Sequence, residues 1–432
     1  MITILTDFQS PRLKYAVDTI FREWLNLDYD IVTSVNQVDH ESCCIVYGNY
    51  SHKGSINIFK EGLLDESDLR KDLPAVTSHQ DLPIIFEVKH VEDFDLPFDV
   101  FSAVFFCLTR YEEYIITKRD EHGRFQAADS IFNEHNRVPY VDRWILSLEN
   151  LIRMKLPQWK NPRSLNWLST LDMDIAFAYK GRSLMRKVGA TGKDLVNLRF
   201  DRLRERVSVL TGGSVDPFDT YDLFLRNDGA DQKRIFIPVG DRGRFDNNLD
   251  VENTFLKQHI NKLQKRVKIG LHPSYHSLDK EEVVEKEKFK LEETTGSKIT
   301  ESRQHFLRFS LPESFQILAS LGIEKDYSMG FHDEVGFRSG TAYNHYLYDL
   351  INEVTLSIAL IPLTAMDSAM KNYLNATAEE SITVMKEILQ AMQNTGGVFT
   401  SVWHNHSLSE SDDWIGWRTV FQSIPDIVRS QR

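Results

Sequence analysis

From about residue 160 onward, short apolar segments alternate with longer amphipathic ones, and this alternation constrains the fold more than any other feature. The apolar segments have the character of β-strands: NWLSTLDMD, RIFIPVG, VKIGLH and GVFTSVWH. Between them lie stretches with apolar residues at helical spacing, such as FLKQHINKLQKR and AEESITVMKEILQAMQNTGG. Strands that alternate with helices form a parallel sheet or barrel, and functional groups gather at the carboxyl ends of such strands. The sequence therefore predicts an α/β fold with a site at that edge.

The first 160 residues carry a second pattern of strands and helices. A short buried strand, ITILT, precedes a helical stretch, PRLKYAVDTIFREWL, and several short strand-like segments follow. Residues 97–115 (PFDVFSAVFFCLTRYEEYI) are largely apolar, which predicts a buried helix. Residues 156–164 (LPQWKNPRS) contain two prolines and no periodicity, which is typical of a linker. We therefore predict an N-terminal α/β domain over residues 1–160 and a second domain over residues 161–432.

Charge and cysteine usage limit the partners and the compartment. A net charge of −12 argues against a nonspecific nucleic-acid or anionic-membrane surface as the main role. The three cysteines form no CxxC pair, which fits a reducing compartment better than a disulfide framework. The N-terminus has no secretion-signal pattern, and no apolar run approaches the length of a membrane span. We expect a cytoplasmic enzyme, and the sequence leaves its oligomeric state open.

Two carboxylates, Asp172 and Asp174, close the first strand of the second domain. In a β-strand, residues i and i+2 point to the same face, whereas on a helix that spacing turns them apart. If the segment is a strand, both acids face one point. Acids at strand ends also commonly cap the next helix, so the pair alone does not identify a site.

The segment VKIGLHPSYHS supplies two histidines near the end of another strand. His272 ends the strand, Pro273 suits the first position of a helical turn, and His276 lies four residues beyond His272. Two imidazoles at that spacing can bind one metal ion. Together with one carboxylate they form a ligand set suited to Zn²⁺ or another divalent ion. A second carboxylate could then accept a proton from water.

These motifs resemble a known family. LSTLDMD, HPSYH, SRQHFLRFSLPESFQILASLGIEKDYSMGF and SVWHN are similar, in order and spacing, to the motifs of the NodB-like polysaccharide deacetylases. The resemblance covers about residues 160–410 and implies a metal-dependent hydrolase on an irregular (β/α)7-type barrel. PFDVFSAVFFCLTRYEEY and HGRFQAADS resemble the N-terminal domain that accompanies a bacterial branch of such proteins.

The resemblance implies roles for the residues of the first three motifs. Asp174, His272 and His276 would bind the metal, and Asp172 would act as the general base. Met173 separates two acids that are adjacent in many family members, so which acid binds the metal stays open. Either Arg303 or Arg308 would orient the base; the third motif lacks the common Arg-x-Pro form.

The resemblance also implies an acid and its support. His404 would protonate the departing amine, and Asp326 would hold that histidine. His406 is the alternative acid, because on a strand it would share the face of His404.

Four residues are candidates for substrate contacts. Tyr275 and Trp403 could each stack on a sugar ring, although packing in the core explains either side chain. Arg338 and His406 could contact the substrate, although an ordinary surface arginine explains Arg338 about equally well.

The predicted function is removal of an N-acetyl or other acyl group from a sugar or glycan precursor, which is hydrolysis of a non-peptide carbon–nitrogen bond. Two alternatives stay open. A glycosidase on a related barrel would use two carboxylates that flank the sugar. A noncatalytic glycan-binding or scaffold protein would keep the barrel without turnover.

Overall fold

The computed structural model describes residues 1–38, 42–89, 91–181 and 199–432. The N-terminal part is built on a four-stranded parallel sheet in the order β2-β1-β3-β4. The strands are β1 (Ile2–Leu5), β2 (Tyr29–Val32), β3 (Cys43–Gly48) and β4 (Ile56–Phe59). A separate hairpin consists of β5 (Thr77–His79) and β6 (Leu82–Ile84).

Among the residues described in this part, four α-helices accompany the sheet: α1 (Pro11–Val17), α2 (Val100–Leu108), α3 (Glu112–Ile115) and α4 (Tyr140–Lys155). Side chains before the helices explain where two of them begin. Ser10 Oγ accepts a hydrogen bond from the backbone N–H of Leu13, and Asp99 Oδ1 accepts one from Ser102. All nine residues of α2 are buried, as the apolar run predicts. The single helix predicted over residues 97–115 is wrong in one respect: Arg110, with φ +54°, separates α2 from α3.

The second part is built on a nine-stranded sheet in the order β12-β13-β11-β10-β9-β8-β7-β15-β14. All neighbouring strands are parallel except the antiparallel pair β12 and β13. The strands are β7 (Leu165–Asp172), β8 (Gln232–Pro238), β9 (Lys268–His272), β10 (Glu301–Ser302), β11 (Lys325–Asp326), β12 (His345–Asp349), β13 (Val354–Leu360), β14 (Ala365–Met366) and β15 (Gly397–His404). This confirms the prediction of a mixed α/β chain with a parallel sheet.

Seven α-helices are described in this part. They are α5 (Phe200–Leu210), α6 (Tyr221–Arg226), α7 (Thr254–Leu263), α8 (Glu281–Thr295), α9 (Glu313–Ser320), α10 (Ala378–Ala391) and α11 (Trp417–Gln431). Thr377 and Glu380 form a reciprocal capping box at the start of α10. Three short 3₁₀ turns follow strand ends: Tyr275–Ser277, His305–Leu307 and Asn405–Leu408. Among the described residues, no helix is both long and apolar enough to cross a membrane.

Residues 361–364 join strands that lie near opposite ends of the nine-stranded sheet. The backbone N–H of Ile361 donates to Asp326 O at 2.8 Å, on the side of β11. The N–H of Thr364 donates to Thr400 O at 3.1 Å, on the side of β15. The segment between β13 and β14 is therefore hydrogen-bonded to β11 on one side and to β15 on the other.

Buried apolar side chains form two large clusters. One draws on residues 2–152 together with Tyr348 and Leu350, and the other draws on residues 165–428. The assignment of residues 1–160 and 161–432 to separate domains stays a prediction, and Tyr348 and Leu350 show that the two parts share packing.

Buried ion pairs also connect the two parts. Glu113, in α3, accepts two hydrogen bonds from Arg338: Nε donates to Oε1 at 2.9 Å and Nη2 donates to Oε2 at 2.6 Å. Arg110 Nε lies 2.7 Å from Glu113 Oε1. All three side chains are at most 3% exposed. Arg338 therefore holds the two parts together, which corrects its prediction as a substrate contact.

Candidate active site

Three side chains from three strand ends converge on one point. Asp174 follows β7, His272 is the last residue of β9, and His305 follows β10. Asp174 Oδ1 lies 3.4 Å from His272 Nε2, and Asp174 Oδ2 lies 3.7 Å from His305 Nε2. One ligand atom from each residue lies within 4.8 Å of the others, so these three residues could hold a metal ion.

Both histidines are oriented from behind by hydrogen bonds. His272 Nδ1 lies 2.6 Å from the carbonyl oxygen of Arg303, which fixes the proton on Nδ1 and leaves Nε2 facing Asp174. His305 Nδ1 lies 2.9 Å from Asp246 Oδ1, and Asp246 also accepts a hydrogen bond from the backbone N–H of Tyr275. A carboxylate or carbonyl behind each imidazole is the arrangement found around metal-binding histidines.

The group fits a divalent cation on three counts. Ligand atoms about 2.1 Å from a tetrahedral ion lie about 3.4 Å apart, close to the separations found here. Asp174 Oδ1 is buried and has no hydrogen-bond partner among the described residues. Burial opposes ionisation of Asp174, but His305, His404 and His272 hold its pKa well below the usual range. Burial likewise opposes a charge on His305, yet Asp174 and Asp246 raise its pKa to about 9. The environment thus favours positive charge between these side chains.

Asp172 lies beside this group and is held by a buried arginine. Arg303 Nη1 donates to Asp172 Oδ1 at 2.8 Å and to Thr170 Oγ1 at 2.8 Å. Arg303 Nε donates to the carbonyl oxygen of Tyr327 at 3.1 Å. Because Arg303 is fully buried and its Nε and Nη1 are both hydrogen-bonded, it fixes the orientation of the Asp172 carboxyl group.

His404 is the last residue of β15, which pairs with β7 on the side opposite β8. Its side chain faces Asp174, His272 and His305. Its Nε2 lies 3.5 Å from Asp174 Oδ2, and its Nδ1 lies 2.7 Å from Asp367 Oδ1. Burial lowers the pKa of His404, but Asp367 and Asp174 outweigh burial and raise it to about 10. The imidazole is therefore held in its protonated form, with one N–H directed into the site.

His406 lies in the 3₁₀ turn after β15, so the alternation of a strand does not apply to it. Its ring centroid lies 5.4 Å from that of His404. Burial and the charge on His404 lower the pKa of His406 to about 4. His406 is therefore neutral at neutral pH, which separates the two histidines that the sequence left as alternatives.

These side chains line a cleft of about 230 Å³. His406 contributes to its wall, as do Trp414, Tyr373 and His332. Arg124, from the N-terminal part, also lines the cleft, which makes both parts of the chain contributors to the site.

The predicted pairing of His272 with His276 is corrected by the structure. Residues Tyr275–Ser277 form a 3₁₀ turn rather than an α-helical turn, so a spacing of four does not place the two imidazoles on one face. His276 is exposed and lies against Gly243, where a Cβ atom would be 2.7 Å from His276 Nε2. His305 occupies the position predicted for His276.

The predicted support of His404 by Asp326 is also corrected. Asp326 is buried at the end of β11, where it accepts hydrogen bonds from Ser302 Oγ at 2.7 Å and the N–H of Ser328 at 2.8 Å. The acid beside His404 is Asp367, which follows β14, the neighbour of β15 in the sheet.

Arg308 and Tyr275 lie together outside the cleft lining. Arg308 donates to the carbonyl oxygens of His122 and Tyr275, each at 2.8 Å, and its guanidinium lies 4.4 Å from the centre of the Tyr275 ring. Of the two candidate arginines, Arg303 is therefore the one that contacts Asp172. Tyr275 is not among the described residues that line the cleft, which corrects its prediction as a sugar-stacking residue.

Trp403 points away from the cleft because it alternates with His404 along β15. It is 1% exposed and packs edge-on against Phe421 of α11, with ring centroids 5.2 Å apart. Its prediction as a substrate contact is corrected, and Trp414 is the tryptophan that lines the cleft.

The candidate ligand His305 and the two supporting acids Asp246 and Asp367 were not predicted. The cleft-lining residues Arg124, His332, Tyr373 and Trp414 were not predicted either. His305 lies in SRQHF, beyond the end of a strand of only two residues, so the period-two pattern of a strand was too short to detect. Asp367 likewise follows a two-residue strand. Asp246 lies in the irregular segment between β8 and α7, where no local periodicity marks it.

Comparison with known proteins found a family model and several solved structures that are similar to this chain. A family model with the description "Family of unknown function (DUF7033)" matches residues 2–157. The solved structure titled "Crystal structure of putative polysaccharide deacetylase from Mycobacterium smegmatis" is similar over 63% of this chain and 85% of that chain, with 13% identity and a TM-score of 0.40. A match at this level shows neither the fold nor the function of this chain. No curated protein matches the sequence.

Proposed function

We propose that this protein is a metal-dependent hydrolase that removes an acyl group, most simply an acetyl group, from the nitrogen of a sugar or glycan precursor. The observation that carries the proposal is a cleft in which Asp174, His272 and His305 converge, with a positioned carboxylate, Asp172, and the imidazole of His404, held by Asp367, beside them. Hydrolysis of an amide needs these three elements: electrophilic activation, a base for water and an acid for the amine.

The fold that we propose for residues 161–432 is an irregular (β/α)7-type barrel. Support comes from residues 361–364, whose backbone hydrogen bonds reach β11 on one side and β15 on the other. When β13 and β14 are counted as one strand, that strand and β7, β8, β9, β10, β11 and β15 form a closed ring of seven strands. The candidate residues then lie at the carboxyl ends of its strands.

Asp174, His272 and His305 would hold Zn²⁺ or a similar divalent ion. One carboxylate with two imidazoles is a ligand set of catalytic zinc sites, and it leaves a coordination position free. When bound, the ion supplies Lewis-acid chemistry, which activates a water nucleophile and polarises the acyl oxygen.

Asp172 accepts the proton of the attacking water. Arg303 donates to Oδ1 of this carboxylate and fixes its position, and the second oxygen takes the proton. The alternative assignment, with Asp172 as the metal ligand, is disfavoured because Asp174 rather than Asp172 contacts both His272 and His305.

His404 donates a proton from Nε2 to the departing amine nitrogen. An amide anion is a very poor leaving group, so protonation must accompany cleavage of the carbon–nitrogen bond. Asp367 holds His404 through Nδ1, which leaves Nε2 as the donor that faces the cleft.

The experiment is elemental analysis of the purified protein, followed by an acetate-release screen on nucleotide-linked, lipid-linked and oligomeric acetamido sugars. We expect about one divalent ion per chain and acetate release that a chelator abolishes and Zn²⁺ restores. New reducing ends without acetate would establish a glycosidase instead. Absence of both products and of bound metal would leave a noncatalytic glycan-binding protein.

A further inference from the structure

The turn that carries His305 has an unfavourable backbone. Phe306 has φ +62° and Leu307 has φ +53°, and both follow directly on His305. This left-handed region is costly for side chains with a Cβ atom, above all in consecutive residues. Such a turn persists only when its surroundings hold it.

The surroundings that hold it come from the N-terminal part of the chain. Arg124 Nη1 donates to the carbonyl oxygen of Phe306 at 3.2 Å, and Arg308, on the far side of the turn, donates to the carbonyl oxygen of His122 at 2.8 Å. The turn is therefore held by one hydrogen bond at Phe306 and one at Arg308, and both join it to the segment of residues 120–124.

Arg124 is fixed before it reaches the turn. Asp120 Oδ2 accepts from Arg124 Nε at 2.9 Å and from Arg124 Nη2 at 2.7 Å, and the same Nη2 donates to the hydroxyl of Tyr373 at 3.1 Å. Asp120 Oδ1 accepts from the backbone N–H groups of His122 and Arg124. Arg124 is only 5% exposed. A side chain held in this way can act as a rigid clamp.

A second path leads from the same segment to the back of His305. His122 Nδ1 lies 3.0 Å from the hydroxyl of Tyr275, and the N–H of Tyr275 donates to Asp246, which in turn contacts His305 Nδ1. The His122 ring also packs edge-on against Phe306, with centroids 5.3 Å apart.

We infer that residues 120–124 of the N-terminal part position His305, so that the candidate metal centre is complete only with this segment in place. Arg124 is a positioning residue in this scheme: it acts on the imidazole through the carbonyl oxygen of Phe306. The inference rests on the proposed metal binding by Asp174, His272 and His305. It assigns the N-terminal part a role in the chemistry of the cleft.

The test measures the Zn²⁺ affinity of the full-length protein by competition with a chromophoric chelator, which does not depend on turnover. We expect Arg124→Gln to weaken Zn²⁺ binding about 10-fold or more, the effect of losing an outer partner of a metal site. The matched control is Arg137→Gln. Arg137 also belongs to the N-terminal part and bonds across to Glu334 at 3.0 Å, but it does not line the cleft. The Zn²⁺ affinity of Arg137→Gln should equal that of the wild type.

A rescue experiment separates positioning from general destabilisation. In the double variant Arg124→Gln/Phe306→Gly, glycine accepts a positive φ without strain, so the turn needs the clamp less. We expect the Zn²⁺ affinity to recover relative to Arg124→Gln, whereas general destabilisation would grow worse. Should Arg124→Gln fail to fold, Asp120→Asn, which loosens the arginine without removing it, is measured in its place.

The outcomes are distinguishable. A wild-type protein that binds no Zn²⁺ overturns the proposed function itself. A wild type that binds Zn²⁺, together with an Arg124→Gln or Asp120→Asn variant of equal affinity, overturns only the positioning role. Equal loss in Arg137→Gln, or no rescue by Phe306→Gly, also overturns it.

Discussion

His404 and Asp367 are joined by two hydrogen bonds: Nδ1 lies 2.7 Å from Oδ1, and the backbone N–H of His404 donates to Oδ2 at 2.7 Å. The second bond fixes the carboxylate relative to the strand end, so the first bond can fix the plane of the imidazole. Asp367 is fully buried, and it also accepts a hydrogen bond from Ser407. The pair therefore presents Nε2 to the cleft in one orientation.

We expect Asp367→Asn to lower kcat strongly while Zn²⁺ remains bound, because the amide neither balances the imidazolium nor selects its orientation. A positioned general acid contributes about 10²–10⁴ in rate, which bounds the loss. The measurement is acetate release together with metal content. Asp326→Asn is the matched control, because that buried acid bonds to Ser302 and Ser328 instead; an equal loss of kcat in folded Asp326→Asn would contradict the assignment.

Asp172→Asn should leave Zn²⁺ bound and reduce turnover by about 10²–10⁴, because the base is lost while the candidate ligands stay. Arg303→Lys should give a smaller loss, since one ammonium cannot bond Asp172, Thr170 and the carbonyl oxygen of Tyr327 in the same geometry. Metal content and acetate release are measured on the same samples. Full turnover in metal-loaded Asp172→Asn would refute the role of base.

His305→Ala should lose Zn²⁺ affinity, by more than the about 10- to 100-fold that follows removal of an outer hydrogen-bond partner. His276→Ala should keep the affinity of the wild type, because its exposed ring lies outside the group of Asp174, His272 and His305. Competition with a chelator measures both. The reverse result would restore the ligand pair that the spacing HxxxH predicts.

Zn²⁺ should stabilise the folded protein, because the three ligands come from separate strand ends and meet only in the native state. At a free concentration 100 times Kd, the gain in the free energy of unfolding is about 2.7 kcal/mol. Thermal unfolding with and without a chelator measures it, and Asp174→Ala should abolish the shift. A Tm that does not change when Zn²⁺ is added or removed would count against a metal site in the native protein.

The sequence predicted the parts of the site that depend on regular strands. β7 and β15 are each eight residues long, so their alternation placed Asp172 and His404 correctly on the cleft side and could have placed Trp403 on the other. The position of His272 at the end of β9 was likewise predicted from the pattern of a regular strand. The resemblance and the strand pattern agree at these positions because both depend on parallel strands ending at one edge.

The errors arose where the backbone leaves regular structure. His276 was assigned by the period of an α-helix, but the chain forms a 3₁₀ turn there. His305 and Asp367 follow strands of two residues, which leave no periodic signal. Arg338 looked like a loop arginine, and only the fold shows that Glu113, 225 positions away, is its partner. Contacts at such separations depend on packing, which local spacing does not encode.

Glu113→Gln should destabilise the protein by about 3–5 kcal/mol, because it leaves the buried guanidinium groups of Arg110 and Arg338 without their shared anion. Urea unfolding at neutral pH measures the effect. The control is Asp426→Asn, which removes one partner of an exposed pair with Arg429 and should change stability little. A Glu113→Gln variant as stable as the wild type would show that the two parts do not depend on this network.

The pKa of Glu113 predicts how the difference in stability between the wild type and Glu113→Gln varies with pH. Burial opposes ionisation of Glu113, but Arg338 and Arg110 outweigh it and lower the pKa to about 2, against an ordinary value of 4.5. A folded-state pKa below the unfolded one gives stability that is present above the unfolded pKa and lost as pH falls through the folded one. The advantage of the wild type over Glu113→Gln should therefore be constant above about pH 5 and shrink between pH 4.5 and pH 2. A difference that stays constant down to pH 2 would mean that the two arginines do not lower the pKa of Glu113.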